Sequence, residues 1–425
     1  MNNKFTRIVL PSLLLYGCLV GVNSAWAAAG SLDPTFGSGG VTITNFASSG
    51  FVIPDSIQLQ SDGKILVLVQ AGNLSNEVLR YTTTGALDTS FGHNGVAVLS
   101  PSVGGSMALQ ANGQIVAAGV VTNRSTGGPE LGVERLNTNG GSDTSFGNGG
   151  LALASLSNRA TGVGFVALVQ PNGDILIGAQ LEPTGRRQPF QTVLARFNSA
   201  GQLDTTFGIQ GVAIATAASG CTALALLSDG EILVVNAQTV AQFTASGIVE
   251  STVTGGSIVA SAGSSAPSAP SMFETNGDYL FGTELFIGQE SRGHNASAEV
   301  LRFTETGAAD PTFANPTFHY TGTGGSGIEA LVHGLAVDSD GDIVVVGNQV
   351  TFAQSGTVTV NGLARLAPSG TLDATFGNGG TVVNSVPAGT QELSGVIIQP
   401  TDDNIVVVGV ANNTTELTIS RYLAQ

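Results

Sequence analysis

Gly85-Ala-Leu-Asp-Thr-Ser-Phe-Gly-His-Asn-Gly95 is one copy of an element that returns along nearly the whole chain. The same Asp-x-x-Phe-Gly core stands at Leu32-Asp-Pro-Thr-Phe-Gly37, Ser142-Asp-Thr-Ser-Phe-Gly147, Leu203-Asp-Thr-Thr-Phe-Gly208 and Leu372-Asp-Ala-Thr-Phe-Gly377. Weaker copies are Ala309-Asp-Pro-Thr-Phe313 and Val249-Glu-Ser-Thr-Val253. Units recurring every roughly 45 to 65 residues mark a tandem architecture in which each unit buries its apolar face against its neighbours.

Between these copies lies an apolar strand, a tight turn and a second, more apolar strand. Examples are Leu59-Gln-Ser-Asp-Gly-Lys-Ile-Leu-Val67, Leu109-Gln-Ala-Asn-Gly-Gln-Ile-Val116 and Val169-Gln-Pro-Asn-Gly-Asp-Ile-Leu176. Later copies centre on Asp229-Gly230, Asn276-Gly277, Asp340-Gly341 and the degenerate Asp402-Asp403-Asn404. Asn-Gly and Asp-Gly suit hairpins because both residues tolerate positive φ. Runs such as Ile343-Val-Val-Val346 are apolar at consecutive positions, so both faces of that strand should be covered. A third strand ends in Arg plus a large apolar residue, as at Arg80-Tyr81 and Arg135-Leu136, and a fourth follows each Phe-Gly. Four antiparallel strands per unit, without helical periodicity between them, predict an all-β chain: a seven-bladed β-propeller of four-stranded blades.

Spacing also predicts how the ring closes. Arg80, Arg135, Arg196, Arg302 and Arg365 each precede an acidic partner by the same interval: Asp88, Asp143, Asp204, Asp310 and Asp373. Gln242 and Glu250 keep that interval in the fourth repeat. Arg421 has no Asp after it, and Asp33 has no Arg before it. The two leftovers complete each other if the strand near Gly40 to Phe46 becomes the outer strand of the last blade, beside Glu416 to Tyr422. That arrangement removes an open sheet edge. Recurrence at a fixed offset assigns these Arg and Asp residues to holding blades in register, and the repeated Phe to the core between blades.

The first residues call for a different treatment. Lys4 and Arg7 precede an apolar run from Ile8 to Val22, and Ala25-Trp26-Ala27 supplies the small residues a signal peptidase reads. The expectation is a signal peptide over 1–27, cleavage before Ala28, and a single domain over 28–425 placed in the periplasm or outside the cell. Leu15-Tyr16-Gly17-Cys18 offers a rival reading, lipid attachment at Cys18. No later segment has the uninterrupted apolar length of a transmembrane helix. The formal net charge is −16, and the basic residues are not clustered, which argues against nucleic acid and anionic lipid as partners. Cys221 would be alone after cleavage, so no disulfide forms within the chain; it sits in an apolar run as a small core residue.

The Leu-Asp-x-Thr-Phe-Gly-x-x-Gly and Gln-x-Asp-Gly-Lys-Ile-Leu-Val motifs, with Arg-Tyr-x-x-x-Gly between them, resemble the delta-60 repeat of exported bacterial proteins. The resemblance spans essentially residues 30 to 425. It implies a β-propeller of a family without an assigned activity and supplies no catalytic residues. The fourth repeat departs from the pattern, lacking both Arg and Phe-Gly, and runs into a stretch of small residues over 255–271 that is expected to loop out.

No Gly-x-Ser-x-Gly elbow, His-Glu-x-x-His or phosphate-cradling loop occurs. The four His residues, His93, His294, His319 and His333, share no metal-ligand spacing. Asp338-Ser-Asp-Gly-Asp342 resembles the start of a calcium loop, but it coincides with a repeat hairpin and has no Glu at the twelfth position. No cofactor or metal is expected. Propellers carry function at one mouth of the channel, and alignment on the hairpin Gly puts Asp55 and His333 at equivalent inner-strand positions, with Glu329 and Glu392 near the same entrance. These four could bind a cation or a polar ligand, or perform acid–base work. Longer connections at Val121 to Gly132, Gln180 to Gln191, Glu284 to Glu299 and Gln349 to Gly362 supply a variable surface; two of them hold Arg186, Arg187, Arg292 and His294. The first expectation is a monomeric, non-enzymatic binding propeller for a protein, peptide or glycan. The alternative is a periplasmic or secreted hydrolase, lyase or lactonase working at an acidic channel mouth.

Overall fold

The computed structural model describes residues 28–46, 49–72, 75–100, 103–122, 129–156, 160–182, 190–216, 220–235, 239–254, 271–274, 277–290, 293–306, 308–321, 327–353, 356–383, 390–411 and 414–425. The expected signal peptide, Cys18, residues 255–270, Arg186, Arg187 and Arg292 lie outside these. Every strand or helix assigned among the described residues is a strand, and none of the apolar segments there is a helix long enough to cross a membrane.

In the first sheet Val52–Leu59 pairs with Ile65–Ala71, then Ser75–Tyr81, then Val96–Val98, all antiparallel. The same four-stranded order recurs over 106–155, 160–215 and 223–254. The turn between the first two strands is tight: Gln60 N–H donates to Lys64 O at 2.8 Å, with Gly63 at φ 80°. In the seventh repeat the corresponding bond joins Gln399 to Asn404, one residue longer, with Asp403 at φ 54°.

The fifth and sixth repeats depart from separate blades and share one eight-stranded sheet. Gly293–Phe303 is long enough to reach beyond its own repeat, and Ala296 meets Glu329 of Ile328–Val337 in a single parallel pair. The last sheet combines both ends of the described chain. Thr390–Ile398, Ile405–Ala411 and Glu416–Tyr422 are followed by Val41–Asn45, in register from Val41↔Ser420 to Asn45↔Glu416.

Apolar clusters lie between consecutive sheets. Leu66, Leu68 and Phe91 pack with Met107, Ile115 and Ala117 of the second sheet. On the other side Val67, Val69 and Leu79 pack with Val408, Leu417 and Ile419 of the last sheet. Each second strand therefore gives alternate side chains to two neighbours, which is why it is apolar at every position. Cys221 is buried and free, against Gly178 and Leu224.

Each Arg binds in three directions. Arg80 Nε lies 2.9 Å from Asp88 Oδ2, its Nη1 donates to Thr138 O of the next sheet at 2.6 Å, and its guanidinium carbon stands 4.5 Å from the Phe91 ring centre. The partner carboxylate is itself held, with Asp88 Oδ1 accepting from Ser90 N–H and Oγ–H. The Ser90 hydroxyl bond, together with Arg80 and Lys64, outweighs burial and holds Asp88 well below the usual carboxylate range. Arg135–Asp143, Arg196–Asp204, Arg302–Asp310, Arg365–Asp373 and Arg421–Asp33 repeat the pair at 2.8, 2.7, 2.7, 2.6 and 2.7 Å. Their Nη1 groups reach Ser199 O, Ala245 O, Pro368 O, Ala424 O and Thr83 O.

Two expectations change. Gln242 does not pair with Glu250: its Nε2 donates to Glu231 Oε2, while its Oε1 accepts from Ser251 Oγ at 3.3 Å. The cause lies in the turn. Gly208 and Gly211 hold φ 54° and 91° in the third repeat, whereas Thr254 and Ser257 occupy those places in the fourth. The motif residues instead continue as a strand, Val249–Thr254, along Thr239–Phe243. Two of the four long connections, at Glu284 to Glu299 and Gln349 to Gly362, are also largely strand. Tyr279–Glu290 pairs with Gly293–Phe303 as far as Glu290↔Gly293, and Ile343–Ala353 with Gly356–Leu366 as far as Ala353↔Gly356. Thr357-Val-Thr-Val360 has the β-branched residues that sustain such ladders.

Candidate functional site

The strand that opens each repeat is irregular where the named candidates stand. Register shifts fall between Pro54 and Ser56 and between Val332 and Gly334, so Asp55 and His333 are each the extra residue of a bulge. Ser394 has the same place between Leu393 and Gly395. A bulge re-aims one side chain out of the alternation that otherwise sends it into the core. Asp55 remains accessible to solvent, yet surrounding protein desolvates its carboxyl and pushes it up from 3.8 to about 6.

His333 and Glu392 come together. Gly334 permits it: a Cβ there would lie 2.9 Å from Val346 Cγ2 and 3.3 Å from Gly395 Cα, so the two opening strands pass closely. His333 Nδ1 lies 2.8 Å from Leu393 O and 3.4 Å from Glu392 Oε1. The imidazole is mostly covered, with 17% of its side chain exposed, while Glu392 is 55% exposed. Nearby Asn348 is buried and its Oδ1 makes no hydrogen bond. It follows Val344 and Val346 on the face that packs against Leu393.

Glu329 meets a carboxyl that sequence reasoning passed over. Glu284, opposite Ala298 in its hairpin, is pushed up from 4.5 to about 7, first by burial and then by the charge of Glu329. Glu284 lay within a connection already singled out by length. Nothing in its local pattern announces the second carboxylate, because the pair forms across two repeats. Glu329 and Glu392 stand toward the end of their sheets where the second and third strands join, whereas Asp55, opposite Leu68 and Val69, and Glu284, opposite Ala298, lie nearer mid-strand. Arg80 and its equivalents occupy the other end.

Among the described residues no three His, Cys, Asp or Glu side chains converge in a metal-binding group. Asp338 instead caps its hairpin, its Oδ1 accepting from Asp340 N–H at 3.0 Å and Asp342 N–H at 2.8 Å. His319, beside buried Phe318 and Tyr320, is pushed down by burial, and His93 lies in an exposed turn. His294 joins its strand through Gln289. A groove of about 290 Å³ lies away from these carboxylates, lined by Asn148, Leu151, Leu153 and Gln202 among others.

Four stretches, residues 60–91, 110–146, 170–207 and 339–376, match a family model described as a domain of unknown function (DUF5122) beta-propeller. The chain is thus built with β-propeller repeats of unknown function. No curated protein matches it. Among solved structures, a protein of unknown function from Dyadobacter fermentans is similar at 10% identity and TM-score 0.42, covering 91% of this chain and 100% of its own. An alpha-L-arabinanase from Penicillium chrysogenum in complex with arabinobiose is similar at 8% identity and TM-score 0.39, covering 93% and 97%. A protein of unknown function from Bacteroides caccae is similar at 11% identity and TM-score 0.38, covering 76% and 99%.

Proposed function

We propose that this chain is an exported, non-enzymatic binding protein: a monomeric propeller of seven delta-60-type blades that recognises a protein, peptide or glycan. Residues 1–27 direct export and are removed, and 28–425 form the single domain, in the periplasm or outside the cell. The fifth and sixth repeats count as one blade each within their shared sheet. Ring closure is supported by Val41–Asn45 completing the last sheet and by the cluster that joins that sheet to the first.

One observation carries the binding reading. Glu329 and Glu392 stand toward one end of the sheets and the repeated Arg–Asp machinery fills the other, with the ionisable Asp55, Glu284 and His333 at the levels between them. In a closed ring the end with Glu329 and Glu392 is a channel mouth, and the extended hairpins rise beside it. A rigid scaffold with variable polar residues at its rim is built for recognition. The acidic balance of the chain disfavours nucleic acid.

Glycan and peptide arrays probed with the mature chain test this. The expected result is a specific hit that H333A/E392Q weakens at least tenfold. Silence on both arrays, together with hydrolase turnover, overturns it. A second reading, a hydrolase, lyase or lactonase, rests on Glu284, whose carboxyl is poised near neutrality beside Glu329. On that reading E284Q and E329Q each abolish turnover while the array pattern stays as before.

A further inference from the structure

Six of the repeats carry an Arg that reaches the next repeat, and the fourth carries Gln242 instead. That contrast extends beyond one hydrogen bond. At the junction after the third sheet, Arg196 donates to Ala245 O, Gly208 N–H donates to Ser246 O at 2.7 Å, and the Phe207 ring lies under Gly247. After the second sheet, Arg135, Gly147 and Phe146 do the same with Ser199, Ala200 and Gly201. After the fourth, both ends of the Gln242 amide are engaged within its own sheet, by Glu231 and Ser251. Thr254, at the Gly208 position, is paired to Thr239 in that sheet. Position 253 is Val where the others have Phe.

A second, independent observation falls on the same junction. The face of the fifth repeat that packs on Ala225, Val235 and Val240 carries Tyr279, Phe281 and Leu301. Thr283 and Glu299, cross-strand partners farther along that face, are buried, and Thr283 Oγ1, Glu299 Oε2 and Tyr279 Oη make no hydrogen bond. Buried polar groups left without partners weaken the packing that hides them.

We propose that the junction between the fourth and fifth repeats is a built-in seam, the place where the ring of sheets first opens. The other junctions are each fastened by a charge-assisted hydrogen bond from one repeat to the next; at this one the equivalent side chain, Gln242, is engaged within its own sheet. Local opening follows the least-stabilised unit of a fold. The proposal rests on the closed-ring reading, and the experiment separates the two.

Hydrogen–deuterium exchange on the mature chain, followed by peptide mass, ranks the junctions. The strands Thr239–Phe243 and Tyr279–Phe281 are expected to lose protection first, with opening roughly tenfold or more frequent than elsewhere, the factor set by one charge-assisted hydrogen bond. R135Q should create a second seam between the second and third sheets, and Q242R should raise protection at the fourth. Equal protection at all junctions overturns the seam and leaves the ring intact. Earliest exchange at Val41–Asn45 and Glu416–Tyr422 overturns both. Should R135Q fail to fold, the ranking in the unaltered chain still decides.

Discussion

Gly30 donates its backbone N–H to the Leu423 carbonyl at 2.8 Å, and Leu423 N–H donates to Ser31 O at 2.9 Å. In the first sheet the same two bonds run from Gly85 to Thr82 and from Thr82 to Ala86 within one continuous turn. Ala29 O accepts from Gly377 N–H, as Thr84 O does from Gly37. Two distant stretches of chain therefore rebuild a turn that elsewhere is a single tetrapeptide.

Joining Ala424 directly to Ala29 should complete that turn covalently, and a permutant opened between Thr138 and Asn139 should fold. Exposed turns with paired flanks tolerate such relocation. Circular dichroism and urea unfolding should match the parent to within about 1 kcal/mol, the cost of one lost turn bond. A permutant that expresses only as aggregate would count against a turn shared by the two ends.

Arg421 and Asp33 are 388 residues apart and largely covered, at 10% and 6% side-chain exposure. Removing one member of a covered pair leaves the other unsatisfied, so R421A should cost about 3 to 5 kcal/mol. R135A, within one contiguous repeat, should cost the same to within about 1 kcal/mol, since both break the same kind of pair. A much smaller effect at Arg421 in urea titrations would mean that the last sheet is complete without the N-terminal strand.

Gly140 and Gly149 both hold positive φ, at 85° and 66°, but only one is crowded. A Cβ on Gly140 would lie 2.8 Å from Gly92 N and 2.9 Å from the Phe91 ring, whereas Gly149 has nothing within 4 Å. G149A should cost about 1 to 2 kcal/mol for the left-handed backbone alone. G140A adds the displaced ring and should cost roughly 3 kcal/mol or more. Equal unfolding midpoints for the two variants would separate Phe91 from its place beneath the next turn.

Much of this fold is legible in the amino-acid sequence. The constant interval between Arg80 and Asp88, carried to Arg421 and Asp33, contains the sheet order, because a repeated contact must be made by every copy. The bulges at Asp55 and His333 were not readable as bulges, although alignment on the hairpin placed the two residues alike. Bulges depend on how many residues the neighbouring strand offers. The Gln349–Gly362 segment has the length of a loop, but its Val-Thr alternation is that of a strand. Glu284 needed the structure, since its chemistry comes from Glu329 across a repeat boundary. In the fourth repeat the loss of Gly at position 254 was in plain view; that the motif would then zip into a strand follows only from the steric demand of the turn.

Among the carboxyls that burial raises, Asp55 and Glu284 should contribute most to the pH dependence between acid and neutrality. Asp55 and Glu284 hold their protons in the folded chain up to about 6 and about 7, against ordinary values of 3.8 and 4.5. Between those limits the folded state binds protons that the unfolded state has released, so these groups favour folding at low pH, and their contribution is lost as pH rises to neutrality. Asp88, Asp143, Asp204, Asp310 and Asp373 act in the opposite sense: held below 3.8, they favour folding above that value and lose their contribution as pH falls through it. Urea midpoints should therefore decline from mild acid toward pH 7 in the unaltered chain. D55N/E284Q should flatten that decline while leaving the acid limb, which belongs to the Arg-paired aspartates, unchanged. A decline that persists in the double variant would place the titrating groups elsewhere.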